Sequence, residues 1–239
     1  MAIFAISLLI STNCKAQILP TDSLSKKKKD GQLTISTRIN TASMFYFTGV
    51  AWDNNPTFDI KFAYENKGWG GMFFKSFELK GEATAINYAL IVLHKRFYLG
   101  KKWTVSPQIG AQINQYGSLV DKSSDFLVNL AITYKLNKRF TVGSDVLFQN
   151  LVLTGRENWT NRLKLTYQQS GIVASAILWD RNDVLGNPGY TNGGIELGYN
   201  GIKLSSTMNL LLGVQSVAVF QADTPRKSGV LFSVGIGMN

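Results

Sequence analysis

The chain is poor in the residues that most protein chemistry depends on. Its 239 residues include one cysteine, one histidine and five prolines. A lone cysteine, Cys14, excludes an intrachain disulfide framework and a cysteine metal cluster. A lone histidine, His94, removes the commonest general base and most histidine-based sites. Past the extreme N-terminus no run approaches the ~18 apolar residues a membrane helix needs. Acidic residues are scarce too, 15 against 25 Lys and Arg, which leaves a formal net charge of +10. With 45% hydrophobic residues and mean hydropathy near zero, the composition is open to one soluble domain or to one membrane barrel, whose strands hide their hydrophobicity by alternation.

The N-terminal residues 1–16 carry an apolar core, Ile3 to Ile10, and end in Cys14-Lys15-Ala16 before Gln17. They resemble a secretory signal peptide, apart from the missing Lys or Arg ahead of the core. A cut after Ala16 removes the only cysteine and, with Lys15, takes the charge from +10 to +9. Residues 17–31, with Lys26-Lys27-Lys28-Lys29-Asp30-Gly31, read as a solvated periplasmic leader. An exported basic chain points toward anionic lipid or an anionic solute and away from nucleic acid.

From Gln32 onward the chain follows period two, the pattern of strands with one apolar and one polar face. Phe58, Ile60, Phe62 and Tyr64 alternate with Thr57, Asp59, Lys61, Ala63 and Glu65. The same sorting recurs around Trp103 to Asn114, Phe126 to Leu136, Arg162 to Gln168, Ile195 to Asn200 and Val230 to Met238. It is poor in Trp69 to Lys80, where Lys75 shares the parity of Phe73 and Phe77, and in Ala85 to Tyr98. Short polar turns separate pairs of such segments: Glu65 to Gly68, Leu99 to Lys102, Lys135 to Arg139, Gln168 to Gly171 and Asn200-Gly201. Longer irregular stretches alternate with them. Turn signals divide 32–239 into about 12 strands, most of them near the ~9–11 residues that cross a bilayer at a tilt.

Aromatics mark the strand ends. Tyr64, Trp69, Tyr98, Trp103, Tyr134, Phe140, Tyr167 and Tyr199 flank the short turns, while Trp52, Tyr116, Trp159 and Trp179 fall by the long connections. Indole and phenol rings favour the membrane interface, so two aromatic girdles are expected. The fold expected is all-β, an antiparallel up-and-down transmembrane β-barrel, with both termini and the tight turns on the periplasmic side. The signal end Lys15-Ala16-Gln17, this layout and the last strand, Lys227 to Val234, resemble the small outer-membrane β-barrel proteins of Bacteroidetes-type bacteria, often grouped as porin-like. The last strand is similar to the signal read by the barrel assembly machinery, although the chain lacks the usual terminal aromatic. The resemblance implies location in the cell outer membrane.

Chemistry is sparse. His94 is followed by Lys95-Arg96, so the His-x-Ser pair of outer-membrane phospholipases is absent, and no enzyme is expected. Asp180-Arg181-Asn182-Asp183 carries oxygen ligands in an expected loop, but not at calcium-loop spacing. No cofactor or metal is implied. Parity directs Arg38, Asp59, Lys61, Asp145, Arg162, Lys164, Glu196 and Lys203 inward, with Glu65 and Lys135. Near the midplane each Lys or Arg facing lipid would cost roughly 2–4 kcal/mol, so these charges belong in the lumen. Two readings stay open: the cations line a narrow water path that prefers small anions, or they pair with the carboxylates and tie the wall together. The expected function is a narrow passive pore. The alternative is a structural or docking barrel of a secretion or surface-attachment machine, similar to the type IX secretion membrane proteins.

Overall fold

The structure is a computed structural model that describes residues 31–45, 50–53, 55–79, 87–115, 125–149, 151, 158–183, 189–222 and 228–238. The expected signal segment, most of the leader, Tyr116 and most of the long connections lie outside the described residues.

Alternating side chains and tight turns build one antiparallel sheet that closes on itself. Its strands are β1 (Gln32–Asn40), β4 (Thr57–Asn66), β5 (Trp69–Glu78), β6 (Asn87–Lys95), β7 (Phe97–Leu99), β8 (Trp103–Gln115), β9 (Asp125–Lys135), β10 (Phe140–Gln149), β11 (Asn158–Gln169), β12 (Ile172–Asp183), β13 (Tyr190–Lys203), β14 (Met208–Ala222) and β15 (Gly229–Met238). A small hairpin, β2 (Ser43–Phe45) and β3 (Val50–Asp53), stands apart. β6 and β7 both pair with β8 and are halves of one strand interrupted at Arg96, so the wall has 12 strands. β1 closes the barrel, pairing with β4 on one side and β15 on the other.

The inner turns set the register. Lys67-Gly68 and Ser170-Gly171 occupy the left-handed region at both positions, with φ of 49° and 84° and of 47° and 84°. That geometry matches the twist of the two-residue hairpin turn. In the third turn Asn137 Oδ1 accepts the backbone N–H of Arg139 and of Phe140, and in the fifth Ser205 Oγ accepts those of Thr207 and Met208. The fifth turn is a correction. Asn200 and Gly201 were expected to form it, but β13 runs through them to Lys203, with an irregularity in the pairing between Tyr199 and Ile202.

The outer face is the apolar one. Phe62, Phe73, Ile91, Leu93, Ile109, Phe126, Leu163, Ile195 and Phe232 are exposed on it, the arrangement a lipid-facing wall requires. Lysines attend the rings at the inner edge: Lys95 Nζ lies 4.6 Å from the centroid of Trp69 and Lys102 Nζ 5.6 Å from that of Tyr134. Such long cations keep their stems on apolar surface and their heads in water. The poor sorting of β5 also has a cause. Lys75, paired with Ile60, points outward beside Phe77, whereas Met72 and Phe74, which pair with Ala63 and Lys61, point inward.

Candidate functional site

The inward face carries the polar chemistry. Asp59 on β4 collects donors from two neighbouring strands: Arg38 Nε at 2.5 Å, Asn40 Nδ2 at 2.9 Å and Ser76 Oγ at 2.7 Å. Asp145 on β10 accepts Arg162 from the directly opposed position on β11, through Nε at 2.9 Å and Nη2 at 2.8 Å. Two further pairs reach over an intervening strand where its residue is small. Lys164 Nζ crosses β12 beside Ser175 to Glu196 Oε2 at 3.0 Å, and Gln215 Nε2 donates to the other oxygen of Glu196 at 3.2 Å. Arg96 crosses β5 at Gly70 to reach Glu65. A side chain at Gly70 would meet the His94 ring at 2.5 Å.

The residues expected to line the lumen divide as follows. Arg38, Asp59, Lys61, Arg162, Lys164 and Glu196 are buried on the inward face, with Asp145 half-buried among them. The structure brings them together as ion pairs Arg38–Asp59, Arg162–Asp145 and Lys164–Glu196. Lys203 is a correction. It lies at the exposed inner rim, because β13 extends past the turn expected there.

The aromatics divide as well. Tyr64, Trp69, Trp103, Tyr134, Phe140, Tyr167 and Tyr199 share the outward parity at the inner strand ends, and two pairs touch, Trp103–Tyr134 at 4.5 Å and Phe140–Tyr167 at 5.1 Å. Trp159 stands outward at the other end, 5.8 Å from Phe148. Trp52 falls within β3. Two placements are corrected. Trp179 is only 2% exposed and faces inward, opposite Arg162 and Asn192, since β12 continues to Asp183 and the indole shares the parity of Ser175 and Ile177. Tyr98 pairs with Thr104 on the lumen side of the inner rim and donates to Glu65 at 3.4 Å. Residues 180–183 likewise form strand rather than loop, and Asp180 accepts hydrogen bonds from Asn182 and Thr191.

Sequence parity missed that part of the lumen is apolar. Tyr88, Leu90, Val92, Leu127 and Leu147 are buried in one inward cluster with Met72 and Phe74 against it, and Ile177, Trp179 and Val217 form a second. The first cluster ends abruptly. One step along the same inward face, Val92 gives way to His94, Leu127 to Asn129 and Leu147 to Asp145. Beyond that boundary, toward the inner end, lies a cavity of about 50 Å³ whose lining includes Arg96, Thr104, Ser106, Asp145, Arg162 and Lys164. Arg96 was also missed, although carrying the parity of Tyr88 and Leu90 on through β6 would have placed it inside.

An apolar outside and a charged inside are what a bilayer imposes on a closed 12-strand barrel. The fold is that of an outer-membrane β-barrel. Among solved structures the chain is similar to the KdgM porin at a TM-score of 0.61 and 10% identity, over 86% of this chain and 98% of that one. It is similar to the NanC porin at 0.56 and 11%, over 87% and 100%, and to an outer-membrane channel of Pseudomonas putida F1 at 0.50 and 10%, over 89% and 96%. One KdgM structure is a complex with disordered oligogalacturonate. No protein-family model matches the chain, and no curated protein does. At these identities the likeness is one of fold.

Proposed function

We propose that the protein is a narrow passive channel of the outer membrane for small solutes, with a preference for anions and no enzymatic step. The observation that carries this reading is the inner cavity, bordered by three cations, Arg96, Arg162 and Lys164, and by one carboxylate, Asp145. Walls of low dielectric focus the field of such groups on the space between them. Among the described residues the buried and half-buried charges on the inward face are Arg38, Lys61, Arg96, Lys135, Arg162, Lys164 and Arg181 against Asp59, Glu65, Glu78, Asp145 and Glu196, seven against five, so the wall is positive by two. The kinship with Bacteroidetes-type barrels, insertion by the assembly machinery and the aromatic girdles at the lipid interface belong to the same proposal. The outward row Val230, Phe232, Val234 and Ile236 on β15 supports the assembly step.

Proteoliposomes loaded with buffer and offered labelled anions and cations of equal size test this. The anion enters faster, and Arg96→Gln narrows the difference; equal rates for both ions at wild type would refute the preference.

A second reading, a structural or docking barrel of a secretion or surface-attachment machine, is favoured by the packing at mid-wall. There Arg38, Asp59, Leu90, Arg162 and Trp179 are all buried, and paired or packed inward groups tie neighbouring strands together. Stable partners retained through purification, with no solute flux, would select it.

A further inference from the structure

We propose that the inner cavity is a binding site for one small oxyanion of the phosphate or sulfate class. This rests on the anion-preferring reading above and gives it a ligand. Of the charged groups on the lining, three are cationic and one is anionic, an excess of two cations (3 − 1) among the residues that form it. Glu65 and Glu196, which pair with Arg96 and Lys164, are not part of that lining. A guanidinium has five N–H donors in a fixed fork, so it can hold a carboxylate on one edge and serve an anion on another.

Ser106 is the independent observation. The residue is 6% exposed and lies on the lining of the cavity, and its buried hydroxyl oxygen has no hydrogen-bond partner. A buried hydroxyl left unsatisfied is unfavourable, and an oxygen acceptor in the cavity would relieve it. Thr104 and Thr166 stand on the same lining, the hydroxyl of Thr166 shared with Ser175 Oγ at 3.2 Å. Cations combined with neutral hydroxyl donors suit an anion that offers several oxygens. The cavity's volume of about 50 Å³ is on the scale of a few waters or one small oxyanion.

Purified full-length barrel in detergent, titrated with inorganic phosphate and with sulfate by calorimetry, tests the site. One anion per barrel binds saturably; Arg96→Gln weakens it about tenfold or more and Ser106→Ala severalfold. Lys95→Gln, a cation on the outer wall, leaves it unchanged. Folding of each variant is checked by its heat-modifiable migration on gels. No saturation by either anion would overturn the site while an anion-preferring flux, if present, leaves the channel standing. Saturation without any flux would keep the site and remove the channel. Equal weakening by Lys95→Gln, or equal binding of galacturonate, would overturn the assignment to this cavity or to this ligand class.

Discussion

Replacing Asp59 with alanine should destabilise the barrel more than any other single loss of charge at the seam where it closes. The carboxylate holds Arg38 at 2.5 Å, Asn40 at 2.9 Å and Ser76 at 2.7 Å, and both it and Arg38 are buried. Without it the guanidinium stays inside the wall uncompensated, and one-sided removal of a buried pair costs about 3–5 kcal/mol. Asn40 keeps its bond to Thr57 Oγ1, so the loss centres on Arg38. Replacing both partners with apolar residues, Arg38→Met with Asp59→Leu, removes the stranded charge and should cost little or even stabilise. The two substitutions are therefore coupled by at least about 2 kcal/mol. Urea unfolding of the refolded barrel in lipid vesicles, followed by tryptophan fluorescence and gel migration, measures the cycle. A loss below 1 kcal/mol for Asp59→Ala, or additive single effects, would refute the reasoning.

Other expectations follow from the inward and outward assignments. Brominated lipid should quench Trp159 strongly and Trp179 hardly at all in variants that retain one of them; equal quenching would contradict the inward placement of Trp179. Gly194→Ala should destabilise by about 1–3 kcal/mol in thermal unfolding through overpacking, because its new methyl would meet Ser216 O at 2.6 Å and the Trp179 ring at 2.8 Å. Leu90→Ser, in the buried apolar cluster on the outer side of the cavity, should raise solute flux in proteoliposomes by wetting that stretch; unchanged flux would show that the path bypasses it.

The barrel was legible because lipid outside and charge inside impose opposite chemistry on alternate residues, as in β4, where Phe58, Ile60, Phe62 and Tyr64 alternate with Asp59, Lys61 and Glu65. In β6 the alternation fades for a physical reason: Ile91 and Leu93 face lipid, while Tyr88, Leu90 and Val92 pack into the lumen, so both faces are apolar. Trp179 was misread because the strand's end was placed near it, and the pairing of β12 with β13 carries the strand on to Asp183. Asn200-Gly201 is a strong turn signal in isolation, but the pairing of β13 with β14 overrides it. Parity named the inward charges without naming their partners. A two-residue turn such as Lys67-Gly68 fixes which residues face each other across its own hairpin. Arg38–Asp59 and Arg162–Asp145 instead join strands linked by long connections, and Lys164–Glu196 skips a strand, so no local count reveals them.

Single-channel recording from the purified barrel in planar bilayers tests the central claim most directly. The account predicts small discrete conductance steps whose reversal potential under a salt gradient lies on the anion side and moves toward zero in Arg96→Gln. A folded, inserted barrel that passes no current at any voltage would contradict it.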